Sequence, residues 1–234
     1  MPRLILLTEP EFRDPLAARL AAPGVILDLA PTLADLDRLL AAGTTATRLL
    51  SVGAGYIVPA RILGALDGPA YNLHPGPPEY PGIFPSVFAL YDRAPRFGIT
   101  LHEMAAKVDA GPIAAVDTYD IVDGWNRLAL DSAPFGAMLN MIERLSPALT
   151  DVSRPLPHLG VAWSGKKRSR KDFDALCALP ENADGAEFTR RLRALGEGPD
   201  HAITITRFGR TFRLASERQA DVMRAGQPVR ASQN

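Results

Sequence analysis

Three polar side chains within residues 70–113 carry the chemistry this sequence offers: Asn72, His74 and Asp109. Asn72 and His74 stand two apart at the end of an expected strand, AYNLH, so their side chains share one face of it. Asp109 follows a second expected strand, in the loop KVDAG. An uncharged amide N–H can polarise a carbonyl and hold the oxyanion of a tetrahedral intermediate. An imidazole can donate to that oxyanion or take a proton from a nucleophile. A carboxylate can stabilise the imidazolium or orient a water that relays protons. The set suits acyl transfer to an amine, which must lose a proton as it attacks. Each residue alone has a structural alternative, since Asn favours turns and a lone His commonly packs in a core. Together, at the carboxyl end of a strand and beside a loop dense in Pro and Gly, they favour catalysis.

The elements that must position this trio follow from apolar patterning. Residues 3–9 form a short apolar run, as a strand buried on both faces requires. Further strands are expected at 25–31, 48–55 and 70–74, with helices at 11–21, 33–42 and 59–66 between them. Thr32 suits an N-cap and Pro59 a first helical turn. The alternation implies an α/β fold: a Rossmann-like, mostly parallel twisted sheet with helices on both faces. Ligands of such sheets bind beyond the carboxyl ends of the strands, where Asn72 and His74 lie. A helix is expected at 83–93, strands at 98–105 and 112–121, and a long helix at 127–145 that Pro134 should bend or break. A small C-terminal α+β extension follows. It comprises a proline-bearing connector at 153–160, a basic run at 165–172 expected as solvated surface, a helix at 186–196 and a hairpin at 201–215 around Phe208-Gly209. The expected organisation is a catalytic domain over 1–152, the extension over 153–218 and a flexible tail over 219–234.

Composition excludes several classes. With 47% hydrophobic and 22% charged residues the chain folds as a globular protein. A formal net charge of zero argues against a generic polyanion partner. The single cysteine, Cys177, rules out a disulfide framework, fits a reducing compartment and reads as an apolar filler. The first apolar run is cut off by Glu9, Pro10 and Glu11, too early for a signal segment, and no run approaches the ~18 apolar residues of a spanning helix. The expectation is a soluble, cytoplasmic protein with no membrane partner. There is no G-x-G-x-x-G after the first strand, no Walker A pattern and no His/Cys cluster at metal spacing, so no metal is expected.

Two segments resemble a known family. N-L-H-P-G followed by P-E-Y-P-G, and then G-I-T-L-H-x-M-x-x-K-V-D-A-G-P-I, are similar to the formyltransferases that use 10-formyltetrahydrofolate, among them glycinamide ribonucleotide transformylase, methionyl-tRNA formyltransferase and the amino-sugar N-formyltransferases. The close similarity covers residues 48–121. It implies that Asn72, His74 and Asp109 are the catalytic trio and 10-formyltetrahydrofolate the formyl donor. It also implies that 53–63 lines the pterin pocket, bringing Tyr56, Ile57 and Val58 to the folate. The loop 105–111, with Lys107 and Val108, would close over the other side. His102 matches a common family histidine, with a supporting or a packing role.

The Gly76–Gly82 loop looks more like the amino-sugar and small-amine branch than members with Ser-Leu-Leu-Pro there. The acceptor implied is a primary amine on a small molecule, such as a nucleotide-linked amino sugar, with basic residues of 165–171 as candidate phosphate contacts. With no net basic charge and no full C-terminal barrel, tRNA is disfavoured. A homodimer through the C-terminal hairpin is an expectation. Two alternatives stay open at this stage: a hydrolase releasing formate from the same donor, and a non-catalytic folate-binding module.

Overall fold

The computed structural model describes residues 1–196 and 202–215. Six strands form one sheet: β1 (Arg3–Leu7), β2 (Ile26–Ala30), β3 (Thr47–Val52), β4 (Tyr71–His74), β5 (Arg96–Glu103) and β6 (Ile113–Asp120). Their order is β2-β1-β3-β4-β5-β6. Pairings among β1 to β4 are parallel, while β5 and β6 run antiparallel to their neighbours. The helices are α1 (Pro10–Leu20), α2 (Leu33–Ala41), α3 (Ala60–Leu63), α4 (Pro85–Tyr91), α5 (Arg127–Thr150), α6 (Arg170–Cys177) and α7 (Gly185–Leu195), and a separate hairpin pairs β7 (Thr204–Arg207) with β8 (Arg210–Arg213). The expected mostly parallel sheet, covered on both faces, is present.

Alternation within each strand sorts the side chains to two cores. Leu4, Leu6, Leu50 and Val52 pack on one face with Leu16 and Leu20 of α1 and with Met138, Met141 and Ile142 of α5. Ile5, Leu7 and Leu49 pack on the other with Leu36 of α2 and Ile62 of α3. Tyr71 and Leu73 of β4, and Ile99 and Leu101 of β5, join the first core. The residues between them, Asn72, His74, Thr100 and His102, must therefore face the other way. The register brings them together, with Asn72 opposite His102 and His74 opposite Thr100. A polar cross-strand quartet thus interrupts a face that is otherwise aliphatic.

Two local expectations need correction. Pro134 does not break the long helix: α5 runs from Arg127 to Thr150 through both Pro134 and Pro147. An interior proline costs about 3 kcal/mol, but the helix buries Leu130, Met138, Met141, Ile142 and Leu149, each worth about 1.5–3 kcal/mol. The basic run is also more than solvated surface. Ser169 and Asp172 form a reciprocal capping box that starts α6, whose Phe173, Leu176 and Cys177 are buried at helical spacing. Burial pushes the Cys177 thiol above its ordinary pKa, in keeping with a filler.

The chain beyond α5 is tied into the body of the fold. The Leu156 amide donates to Tyr71 Oη at 2.8 Å, and α6 and α7 build a third core with α4 through Phe173, Leu176, Ala194 and Leu195. The expected tail over 219–234 lies outside the described residues. Among those described, no helix is long and apolar enough to cross a membrane.

Candidate active site

The three residues first singled out meet in space. Asp109 sits in the loop after β5 with φ +47, a left-handed conformation uncommon for a residue with a side chain. That turn directs its carboxylate back to β4. Oδ2 accepts the Gly82 N–H at 2.7 Å and stands 3.6 Å from His74 Nδ1, while Oδ1 stands 3.4 Å from His102 Nε2. The carboxylate is clamped between two imidazoles. All three groups are buried, with exposures of 4% for His74, 2% for His102 and 5% for Asp109.

Hydrogen bonds settle which atoms hold protons. His74 Nε2 lies 3.0 Å from Tyr80 O; a carbonyl only accepts, so Nε2 carries the hydrogen and Nδ1 keeps its lone pair facing Asp109. His102 Nδ1 donates to Glu103 O at 2.7 Å, and its Nε2 stands between Asn72 Nδ2 at 3.2 Å and Asp109 Oδ1 at 3.4 Å. The first of these contacts orients the Asn72 amide and leaves its second N–H free for a ligand. Burial lowers the His74 pKa below the ordinary histidine value, against the opposing pull of Asp109. Burial alone would raise Asp109. The hydrogen bond to His102, the attraction to the His74 ring when that is protonated and the Gly82 amide outweigh it, and its pKa falls below the ordinary value. The resting pair is a neutral imidazole beside a carboxylate.

All five residues expected at a donor pocket border one cleft. Tyr56, Ile57 and Val58 on one side, and Lys107 and Val108 on the other, line it together with Asn72, His102 and Asp109. His74 stands behind this rim, next to Asp109. Residues 56–58 are irregular backbone outside any strand or helix, and Ile57 is 72% exposed. Exposed apolar groups gathered at a cleft mouth suit a flat, largely apolar ring.

Sequence reasoning missed Trp163. It arrives on residues 158–168, a strap that follows α5 and crosses both loops of the site. Its indole N–H donates to Gly111 O at 2.9 Å. Its ring meets His102 at 4.9 Å and 85°, and His74 at 5.5 Å and 77°, edge to face in each case. The strap is stitched to the Gly76–Gly82 loop through Ser164 N to Pro78 O at 3.0 Å and Arg168 N to Pro81 O at 2.9 Å. Lys167 Nζ reaches Val108 O at 2.5 Å on the Asp109 loop. Two glycines permit this approach: a Cβ on Gly82 (φ +98) would lie 2.1 Å from Arg168 O, and one on Gly165 (φ +71) would lie 2.3 Å from Glu79 O. Thr100 was also missed; its Oγ1 donates to Gly76 O at 2.8 Å and braces the start of the same loop.

The basic run divides. Lys166 pairs with Asp172, Arg168 with Asp92 and Arg170 with Asp174. Lys167 instead bonds the neutral Val108 carbonyl on the Asp109 loop and makes no ion pair among the described residues.

No family model matches the chain. It is 30% identical over 129 residues to a dTDP-4-amino-4,6-dideoxyglucose formyltransferase of Mycobacterium tuberculosis, and the match spans about half the length of each, 53% of this chain and 53% of that protein. A sugar N-formyltransferase from Shewanella sp. superposes with a TM-score of 0.73 at 20% identity, over 92% of this chain and 97% of that one. The chain has a formyltransferase fold. An N-formyltransferase from Helicobacter canadensis, crystallised with folinic acid and dTDP-3-aminofucose, shares that fold with a TM-score of 0.60 at 14% identity, over 83% of this chain and 80% of that one. This relative by sequence and these two neighbours by fold are named formyltransferases, the group whose N-L-H-P-G and K-V-D-A-G segments this chain resembles.

Proposed function

We propose that this protein transfers a formyl group from 10-formyltetrahydrofolate to the primary amine of a nucleotide-linked amino sugar. The observation that carries the reading is that Asn72 and Asp109 line one cleft with Tyr56, Ile57 and Val58, with His74 directly behind the Asp109 carboxylate, its Nδ1 3.6 Å away. The acceptor class is supported by the named substrate of the mycobacterial relative and by the dTDP-amino sugar in the Helicobacter complex. Donor binding is supported by the folinic acid in that same complex. In this reading tRNA is not the acceptor, and the buried free thiol suits a reducing cytoplasm.

The donor is a substrate, consumed at each turnover. Its pterin lies along residues 56–58, with their main-chain N–H and C=O groups on its polar edge and Lys107 and Val108 across from them. The acceptor nitrogen attacks the formyl carbon while the free N–H of Asn72 holds the developing oxyanion. The amine proton passes to His74 Nδ1, and Asp109 pairs with the imidazolium as it forms. The bond from carbon to N10 then breaks, and the proton returns to N10. Lys167, bonded to Val108 O on the Asp109 loop, would meet an acceptor phosphate.

Incubating the chain with donor and a panel of amine-bearing nucleotide sugars, with product masses read by mass spectrometry, tests this reading. A formylated amino sugar is expected. Formate release with no formylated amine would favour a hydrolase and sink the proposal.

The pH profile has a definite sign. His74 must be neutral to accept the proton, so activity is present above its pKa and lost as pH falls through it. Because burial lowers that pKa, kcat/KM should stay level through the ordinary histidine value of 6.5 and fall only below it. An acidic limb centred above 6.5 would contradict the assignment.

We also infer a homodimer through the hairpin. Phe208 occupies its turn at φ +54, a conformation disfavoured for an aromatic residue, and is 96% exposed. A partner surface over Phe208, Ile205 and Phe212 would account for retaining it. Phe208→Asp should convert dimer to monomer in light scattering after size exclusion; an unchanged mass would contradict the interface.

A further inference from the structure

We propose that Trp163 decides whether the formyl group goes to the acceptor amine or to water. The inference rests on the formyl-transfer reading above. Amine and water compete for the same carbon. In either case a bond forms to the formyl carbon, the bond from that carbon to N10 breaks, the nucleophile gives up a proton and N10 gains one. Amine attack leaves a formamide and tetrahydrofolate; water attack leaves formate and tetrahydrofolate. One base, Nδ1 of His74, serves both. A base open to bulk solvent would spend the donor on water, and a closed site prevents that side reaction.

The geometry points to the indole as the closing group. The side chains of His74 and His102 are 5% and 3% exposed, and both rings pack edge to face against Trp163. The single polar atom of the indole is committed to Gly111 O, so the surface it turns to the two histidines is apolar and offers no anchor to a water. Trp163 comes from the strap, a segment outside the sheet, and the strap is held where it is by backbone bonds to Pro78 and Pro81. The Gly82 amide that holds Asp109 belongs to the loop that the strap clamps. The seal and the proton-handling pair are therefore built as one unit.

A packing role and a sealing role differ in what they predict. Loss of packing slows transfer and hydrolysis together. Loss of a seal changes their ratio. The test uses the full chain, 10-formyltetrahydrofolate and the amino sugar that the wild-type chain formylates, with formate and formylated product both quantified. Trp163→Ala should raise the ratio of formate to product by about tenfold or more, and Trp163→Leu, which keeps apolar bulk but not the ring, should raise it less. Diethyl pyrocarbonate labelling mapped by mass spectrometry gives a readout without turnover. His74 and His102 should react faster in both variants than in the wild type.

An unchanged ratio in Trp163→Leu, or histidines as protected as in the wild type, overturns the inference even if Trp163→Ala does not fold. A wild-type chain that formylates no amine overturns the formyl-transfer reading along with it. An unchanged ratio between variants overturns the role of Trp163 alone.

Discussion

Asp109→Asn should lower kcat/KM for formyl transfer by about 10²–10⁴-fold while leaving the melting temperature close to that of the wild type. The carboxylate lies within 3.6 Å of both imidazoles. Asparagine keeps the shape and can still accept the Gly82 amide, so the loop stays closed. What it loses is the charge that pairs with His74 once Nδ1 takes the amine proton. Asn72→Ala and His74→Ala should fall in the same range, because each removes one part of the same proton and oxyanion handling. Steady-state kinetics with a thermal melt checks this. Activity of Asp109→Asn within about threefold of wild type would show that the carboxylate plays no part in the chemistry.

Gly82→Ala should be nearly as damaging, by a different route. At φ +98 any side chain is strained, and a Cβ here would lie 2.1 Å from Arg168 O, a backbone atom that cannot rotate away. Either the strap lifts or the loop shifts. Each movement breaks the bond from the Arg168 amide to Pro81 O and displaces the amide that holds Asp109. Overpacking of this kind costs about 1–3 kcal/mol, and catalysis should drop by about 10²-fold or more, since displaced catalytic groups lose rate steeply. Denaturant unfolding and kinetics on the same preparation check both parts. A variant with wild-type stability and rate would show that the strap and the loop are not coupled as the structure implies.

Much of the site was legible because strand alternation is a strong signal. Asn72 and His74 flank Leu73, and Thr100 and His102 flank Leu101, so the polar face of β4 and β5 is written in both segments. The register that sets Asn72 against His102 was not, because pairing partners are fixed by the three-dimensional path of the chain. Asp109 was found through its loop, yet its left-handed turn and the double clamp by His74 and His102 emerge only from the fold. Trp163 had no local signal at all: it lies 52 positions beyond Gly111, on a segment without helical or strand periodicity. Helix α6 was hidden because Arg170 and Lys171 read as part of a basic run, although Ser169 and Asp172 spell a capping box and Phe173, Leu176 and Cys177 a helical stripe. Pro134 does not divide the helix, since its local penalty is outweighed by burial along the rest of α5. The part of the chain that looked like an appendage after residue 152 supplies the strap that frames the centre.

The central claim is that Asn72, His74 and Asp109 move a formyl group onto an amine. The most direct measurement follows the carbon itself, using 10-formyltetrahydrofolate labelled with carbon-13 at the formyl group and a dTDP-linked 4-amino sugar, observed by NMR during turnover. The label should leave N10 and appear as a formamide on the sugar nitrogen with the wild-type chain, and remain on N10 with His74→Ala. Label that appears only in formate, or that reaches the sugar at the same rate in His74→Ala, would contradict the account.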